Sequence, residues 1–422
     1  MFFLNDSSCS YCHGIRRYLF LLLMVFSTGA LYLSDNKQAG IVYFRELYLF
    51  LLILFVLFEF FRFRLWMNTY YEVSVLIYVL FATVFVAFLS YLKWGQPLLY
   101  GLLEERRVFH FLIFFPLFYR LVNGCVSLTQ VSVLLIGGYL LAISVGWLYS
   151  LEIFFPRLSV DFQVGGTVHD EVAEIYEGFR SGRFRLAHDF SLFAIILVAC
   201  KLRFALKQGA YVNYYSFLFA WVVSYIWFVD QTRSLMLIAV VSSMIILFTE
   251  VIRYWALMVV ALVGLFIVWM LGFLDSEIEK FRALIEDVTQ HVGPRTREIT
   301  SDLIIQELRS NPLGNGSLSL QWNDGFRNVY NSNFYLSDVG LLGVVYRYGV
   351  FSLAVLPLVW YSMFRWMFKP IVWDHPLKVA SASYLLVLSL IFPISNAIVL
   401  SGAAIGISFA VLSYSMLRIK YA

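Results

Sequence analysis

Arg347 is the residue of this chain whose setting most needs a reason. It follows Leu336, Gly340 and Gly343 at i, i+4, i+7 and i+11, so one stripe of an apolar helix carries two glycines and a positive charge. If that helix begins at Leu336, Arg347 lies about 16 Å along it at 1.5 Å per residue, near the middle of a bilayer. An arginine there costs roughly 2.5–3.5 kcal/mol to insert, so it should face a wet cavity or an anion rather than lipid. The alternative is a glycine face for helix packing, closed by an internal salt bridge. Arg233 is a second charge of this kind. Asp230-Gln231-Thr232-Arg233 is all that separates two apolar runs, a tight hairpin with the arginine at the mouth of the next helix. A snorkelling anchor has the same signature, but two arginines on one side of a bilayer can share an anion, which the planar guanidinium grips at two points. Two further residues could move a proton. His291 is the one histidine of the hydrophilic stretch 275–335 and has an ordinary pKa near 6.5. Asp338 stands at the start of the Arg347 helix, where a carboxylate also complements the helix dipole.

The elements that hold these residues must be membrane helices. Of 422 residues 61% are hydrophobic and 14% charged, and the mean hydropathy is +0.78, so water cannot be the main solvent. Spanning a core of about 30 Å takes roughly 20 apolar residues, and such runs recur from end to end. Reading them between charges gives about twelve spans, near 18–33, 46–61, 71–92, 108–123, 129–151, 188–203, 211–229, 234–249, 254–274, 336–360, 379–394 and 397–416. One all-α, polytopic membrane domain over 1–422 is the expectation. Arg16, Arg17, Arg62, Arg64, Arg120, Lys201, Arg203, Lys207, Arg253, Arg365, Lys369, Lys378, Arg418 and Lys420 alternate onto one face. The positive-inside rule makes that face cytoplasmic, with both termini on it.

Two long hydrophilic segments, 152–187 and 275–335, then fall on the outer face. The second opens with Ile278, Phe281, Ile285 and Val288 at helical spacing, a helix suited to lie on the membrane surface. Leu303, Ile304 and Leu308 mark another short helix, stopped by Asn311-Pro312. Gly314-Asn315-Gly316 reads as a turn, since no strand and helix flank it as a nucleotide fingerprint requires. The net charge of +4 is scattered, with no basic arm, which argues against nucleic acid as a partner. Four cysteines are too few for a disulfide framework. Cys9-Ser10-Tyr11-Cys12-His13 has the spacing of c-type haem attachment, but Arg16 and Arg17 hold this terminus inside, where Cys9 and Cys12 read as reduced thiols.

Three stretches together resemble the O-antigen polymerase and O-antigen ligase superfamily, over roughly residues 178–350. Gly182-Arg183-Phe184-Arg185-Leu186-Ala187 is similar to the family's arginine-bearing entry to a helix. Thr232-Arg233-Ser234-Leu235 is similar to its [ST]-R-[GS] turn. Asn311-Pro312-Leu313-Gly314-Asn315-Gly316, then Asn333-Phe334-Tyr335-Leu336 and Gly340-Leu341-Leu342-Gly343, resemble its N-P-[LI]-G-x-G, H-N-x-[YF]-L and G-L-L-G signatures in order. Where ligases carry a histidine before the asparagine this chain has Ser332, which favours the polymerase branch. The resemblance implies a membrane-embedded glycosyltransferase with a GT-C-like architecture and amphipathic outer loops. It implies no metal or cofactor and a site at the bacterial inner membrane. Donor and acceptor would both be glycans on undecaprenyl pyrophosphate, and a chain-length regulator would be a further partner. Arg233, Arg347 and Arg185 would hold the pyrophosphate, and Asp338 or His291 would act as the base. A ligase-type transferase and a flippase of lipid-linked oligosaccharides are the alternatives.

Overall fold

The computed structural model describes residues 15–30, 44–63, 70–151, 189–230, 233–251, 292–319, 321–330, 334, 336–354, 357, 361, 373–392 and 402–421. Every regular element among them is helical, as the composition demands. Among the described residues three helices are long and apolar enough to cross a bilayer: Tyr71–Trp94 (24 residues), Leu128–Leu148 (21 residues) and Val212–Asp230 (19 residues). Five shorter apolar helices accompany them: Leu47–Phe60, Leu235–Phe248, Gly340–Ala354, Pro376–Ile391 and Gly402–Leu417. This fits a membrane protein, but not the expected count of about twelve spans.

Local geometry explains part of the shortfall. The run expected to cross at 108–123 is broken into Arg106–Phe109, a 3-10 turn His110–Ile113 and Phe114–Val122, with Pro116 in the first turn of the last piece. The run expected at 336–360 begins as a 3-10 turn, Leu336–Val339, and becomes α-helical only at Gly340, whose φ is +47°. Its first α-helical part ends at Tyr348, before Gly349 at φ +55°, and a 3-10 turn, Gly349–Phe351, carries it on. The span expected at 254–274 lies outside the described residues. So do the loop 152–187, the surface helix at 278–288 and the Cys9–His13 segment.

The helix Ser191–Gln208 is the hub of the bundle. Phe193, Ile196, Leu197 and Ala199 have no exposed surface, and the helix packs against Leu128–Ser150, Val212–Tyr225, Arg233–Val251 and Pro376–Ile391. At one end of the molecule Arg120, counted among the charges of the cytoplasmic face, is buried. It pairs with Glu59 at 3.1 Å and lies over the rings of Phe20 and Phe55. A neutral residue in place of either partner would strand the other charge, which is why so apolar a chain retains the pair. Tyr119 donates beside it to Glu72, at the start of the Tyr71–Trp94 helix. Cys125, in the turn that follows, is disulfide-bonded, so the expectation of reduced thiols does not extend to it.

Candidate functional site

At the far end of Tyr71–Trp94 the chain turns through Gly95, whose φ of +72° caps the helix. Pro97, at φ −56°, then opens the short helix Leu98–Glu104. This helix runs back along the one before it. Gly101 lies so close to Ala87 that an added Cβ would stand 2.8 Å from its Cα, closer than side chains pack, so only glycine permits the approach. The hairpin carries Glu104 and Glu105 back alongside apolar helices, where loop residues would not be expected. A π-helical turn, Phe81–Phe85, interrupts the longer helix at the level they reach.

Onto the same end comes the segment after Val292–Ser310. That helix ends one residue before Asn311-Pro312, and Ile304 anchors it in a small core with Phe334, Leu336, Val339 and Tyr346. The segment Asn311–Ser319 is then wedged between two helices. On one side the N–H groups of Asn315 and Gly316 donate to the carbonyls of Tyr346 and Arg347 at 2.8 and 3.1 Å, and Val350 N–H donates to Pro312 at 2.8 Å. The last carbonyls of the helix Gly340–Tyr348 are satisfied in this way. On the other side Ser90 Oγ accepts from Ser317 N–H at 2.7 Å, while Gln96 Oε1 accepts from Ser319 N–H at 2.8 Å. Lys93 Nζ reaches Glu307 and Asn315 at 2.5 Å each, and Trp94 Nε1 donates to the Asn315 carbonyl at 2.9 Å. What reads in sequence as a simple turn is a buried polar wedge.

The wedge fixes the depth of Arg347. Gly316 touches both the Arg347 carbonyl and Ser90, and Ser90 precedes Trp94 by about one helical turn. The backbone of Arg347 is therefore level with a point roughly one turn before the end of the long helix. Its Nη1 is 3.3 Å from Glu105 Oε1, with the two side chains 12% and 3% exposed. The internal salt bridge weighed for this stripe is thus present. The Nη1–Oε1 contact is an ion pair rather than a hydrogen bond, and among the described residues the buried Nε of Arg347 has no hydrogen-bond partner. Glu104, at the rim, reaches solvent. Desolvation by the surrounding protein, then the Glu105 charge, push its carboxyl above the ordinary range, and Arg347 and Arg106 partly offset the shift. Arg347, Arg106 and the accessible carboxyl of Glu104, with its raised pKa, therefore share one cluster. Such a group can hold a phosphoryl anion and accept a proton beside it.

Of the expected site residues, Arg347 is brought into this cluster. Arg233 is the first residue of the helix Arg233–Val251, as the hairpin reading required, and Asp338 falls in the 3-10 turn Leu336–Val339. His291 and Arg185 lie outside the described residues, as do Ser332 and Asn333. The hairpin before Arg233 is built by a second π-turn, Ile226–Asp230. It buries Asp230 completely, where the carboxylate accepts from Ser191, whose hydroxyl in turn accepts from Tyr139 at 2.9 Å. Glu104, Glu105, Lys93 and Glu307 were missed by sequence reasoning. The adjacent carboxylates of Glu104-Glu105, followed by Arg106-Arg107 directly after an apolar run, were the available signal. Among the described residues no three His, Cys, Asp or Glu side chains converge as a metal site requires. No protein-family model matches the chain, and no curated protein or solved structure shows a significant likeness to it.

Proposed function

We propose that the chain is a metal-independent glycosyltransferase of the bacterial inner membrane, multi-pass with both termini cytoplasmic. It would polymerise undecaprenyl-pyrophosphate-linked oligosaccharide units into O-antigen or a related surface polysaccharide. The observation that carries this reading is the charge cluster of Arg347, Arg106, Glu104 and Glu105, clamped by the Asn311–Ser319 wedge just beneath the end of a membrane helix. A lipid-linked pyrophosphate has its charges at that depth and its glycan beyond it.

In the proposed reaction the acceptor sugar hydroxyl attacks the anomeric carbon of the donor glycan. The new C–O bond forms as the bond from that carbon to the pyrophosphate oxygen breaks, and undecaprenyl pyrophosphate leaves with the bonding pair. Arg347 and Arg106 offset the leaving group's charge, with Arg233 and Arg185 as the further cations of the resemblance. Glu104, whose raised pKa strengthens it as a base, takes the hydroxyl proton; Asp338 and His291 are the other candidates for that step. The aromatic cluster of Phe326, Tyr330, Phe334 and Tyr346 stands beside the wedge, with Tyr330 and Phe334 stacked at 4.5 Å. It supplies a stiff wall on the glycan side.

The test is incubation of the purified protein with a synthetic lipid-pyrophosphate repeat unit, without metal or nucleotide sugar, followed by gel analysis. A ladder with released undecaprenyl pyrophosphate, lost in Arg347→Ala and strongly slowed in Glu104→Gln, is expected. Absence of a ladder, with intact lipid-linked unit carried across a proteoliposome membrane, would replace the polymerase by a flippase.

A further inference from the structure

The short helix Leu98–Glu104 has one face against the bundle and one face open. Gly101 lies on Ala87, and the chain is tied there by Gln96, which donates to the Ser317 carbonyl at 3.1 Å and accepts from Ser319 N–H at 2.8 Å. Leu98, Leu99 and Leu103 are exposed, Leu99 at 65%. Val84 and Tyr91, three residues before and four after Ala87, are exposed as well, so the open faces of the two helices adjoin. Ala87 precedes Trp94 by about two turns, roughly 10 Å inside the end of a helix long enough to cross a bilayer. The joint face is therefore turned to lipid. It ends at the charge cluster: Glu104 follows Leu103 directly, and Arg106 Nη1 donates to the Leu103 carbonyl at 2.9 Å. The cluster is closed elsewhere. Asn315, Ser317 and Ser319 of the wedge are buried, and so are Val108 and Tyr348, which follow its arginines in the chain and belong to the main core. Its most exposed member is Glu104, beside the leucines.

We propose that the leucine face is a lateral port for a polyprenyl pyrophosphate. The chain lies on Leu98, Leu99 and Leu103, and the head turns in past Glu104 to Arg106 and Arg347. This rests on the reading of that cluster as a pyrophosphate site and adds the route by which the lipid reaches it. Charge complementarity favours this occupant over an ordinary phospholipid. A diphosphate offers two anionic groups to two arginines, where a glycerophospholipid has one phosphate. Glu104 sharpens the choice, because its carboxylate repels an anion that stops at the mouth, whereas a head that reaches both arginines offsets that repulsion. The apolar face and the cations also meet at one peptide bond, Leu103–Glu104, so a lipid anchored by its head in the cluster lays the first part of its chain on these leucines.

The test uses the full chain in phosphatidylcholine nanodiscs, with photoreactive p-benzoylphenylalanine in place of Leu99 or, as control, of Phe217, which is equally exposed on the helix Val212–Tyr225. The probe is undecaprenyl pyrophosphate without glycan, which can bind but cannot be polymerised. At Leu99 the labelling is expected to saturate and to be displaced by unlabelled carrier, with phosphatidylglycerol roughly tenfold or more less effective. At Phe217 it should rise in proportion to the probe. Labelling at Leu99 that does not saturate, or that phosphatidylglycerol displaces equally well, overturns the port. Leu99→Asn with Leu103→Asn, both at the surface, is expected to weaken carrier binding roughly tenfold, the loss of about 60 Å² of apolar contact; unchanged affinity overturns the port as well. Since the bare carrier is read, the result stands apart from the reaction. Saturable labelling without a glycan ladder keeps the port and removes the polymerase, while a ladder without saturable labelling keeps the polymerase and removes the port.

Discussion

Replacing Gly349 by alanine tests the wedge, on which the placement of Arg347 depends. Its backbone, at φ +55° and ψ −139°, lies in a region that essentially only glycine occupies, and forcing another residue there costs about 1–3 kcal/mol. The new Cβ would also meet the Leu313 carbonyl carbon, Gly314 nitrogen and Pro312 oxygen at distances real side chains do not show. Those are backbone atoms and cannot rotate away, so the segment 312–316 must lift. Lifting it breaks the bonds from Asn315, Gly316 and Val350, each worth about 1 kcal/mol net. The total of about 4–6 kcal/mol would raise the open population of the wedge by roughly three to four orders of magnitude. Hydrogen exchange at the Asn315, Gly316 and Val350 amides reads this directly, and proteolysis between Asn311 and Ser319 reads it indirectly. Gly209→Ala is the control: it has φ +68° but open space around it, so it incurs only a left-handed penalty of about 1 kcal/mol, far from the wedge. If Gly349→Ala exchanges these amides no faster than Gly209→Ala, the wedge does not hold the Arg347 helix.

Glu105→Gln leaves the Arg347 guanidinium buried without its counter-charge and is expected to destabilise by about 3 kcal/mol. Glu105→Gln with Arg347→Met should recover most of that loss; thermal unfolding of the four chains gives the coupling, and additive effects would show that the two charges do not interact. His375 is held down to about 4, first by burial and then by Lys201 and Lys378, with Asp374 opposing. The unfolded chain takes up this proton first, so the His375 contribution is intact above about 6.5 and is lost as pH falls from there towards 4. Because the ring is partly solvated, about 1–2 kcal/mol is expected rather than the full linkage value; His375→Gln should flatten that limb of the stability profile. The loop-charge rule puts the Cys125 turn in the cytoplasm, whereas a disulfide is at home on an oxidising face. In a chain with Cys9, Cys12 and Cys200 replaced by serine, labelling of Cys125 in intact cells by an impermeant maleimide would reverse the orientation.

Several features were legible because they depend on local sequence. Asn311-Pro312 stops a helix wherever it occurs, and Val292–Ser310 ends there. The four polar residues Asp230–Arg233 interrupt an apolar run, and a new helix starts at Arg233. The all-helical class follows from what hydrocarbon demands of a backbone. The features that escaped depend on distant partners. Glu105 pairs with a residue far along the chain, and nothing near it announces that. Leu98–Glu104 is too short for a periodic signal and follows Pro97, so it read as loop. The count of spans failed where apolar runs conceal breaks: the 3-10 turns at His110–Ile113 and Leu336–Val339, and Gly349, change the path without changing the hydropathy.

Glu104 brings two requirements of the proposed reaction into opposition. An arriving pyrophosphate adds negative charge beside a carboxyl already pushed up by desolvation from the surrounding protein and by Glu105, so binding favours its protonated form. By linkage, a ligand that raises a pKa binds more tightly as pH falls, until the free protein is itself protonated. The same carboxylate must be ionised to take the acceptor's proton. Affinity for the lipid-linked donor should therefore improve on the acid side, while turnover should decline there, so that KM and kcat fall together as pH is lowered. Glu104→Gln removes the group that titrates. In that variant turnover should be low and lack the acid limb, and KM should lose its pH dependence. If kcat keeps the acid limb in Glu104→Gln, another residue is the base, and the cluster around Arg347 serves binding alone.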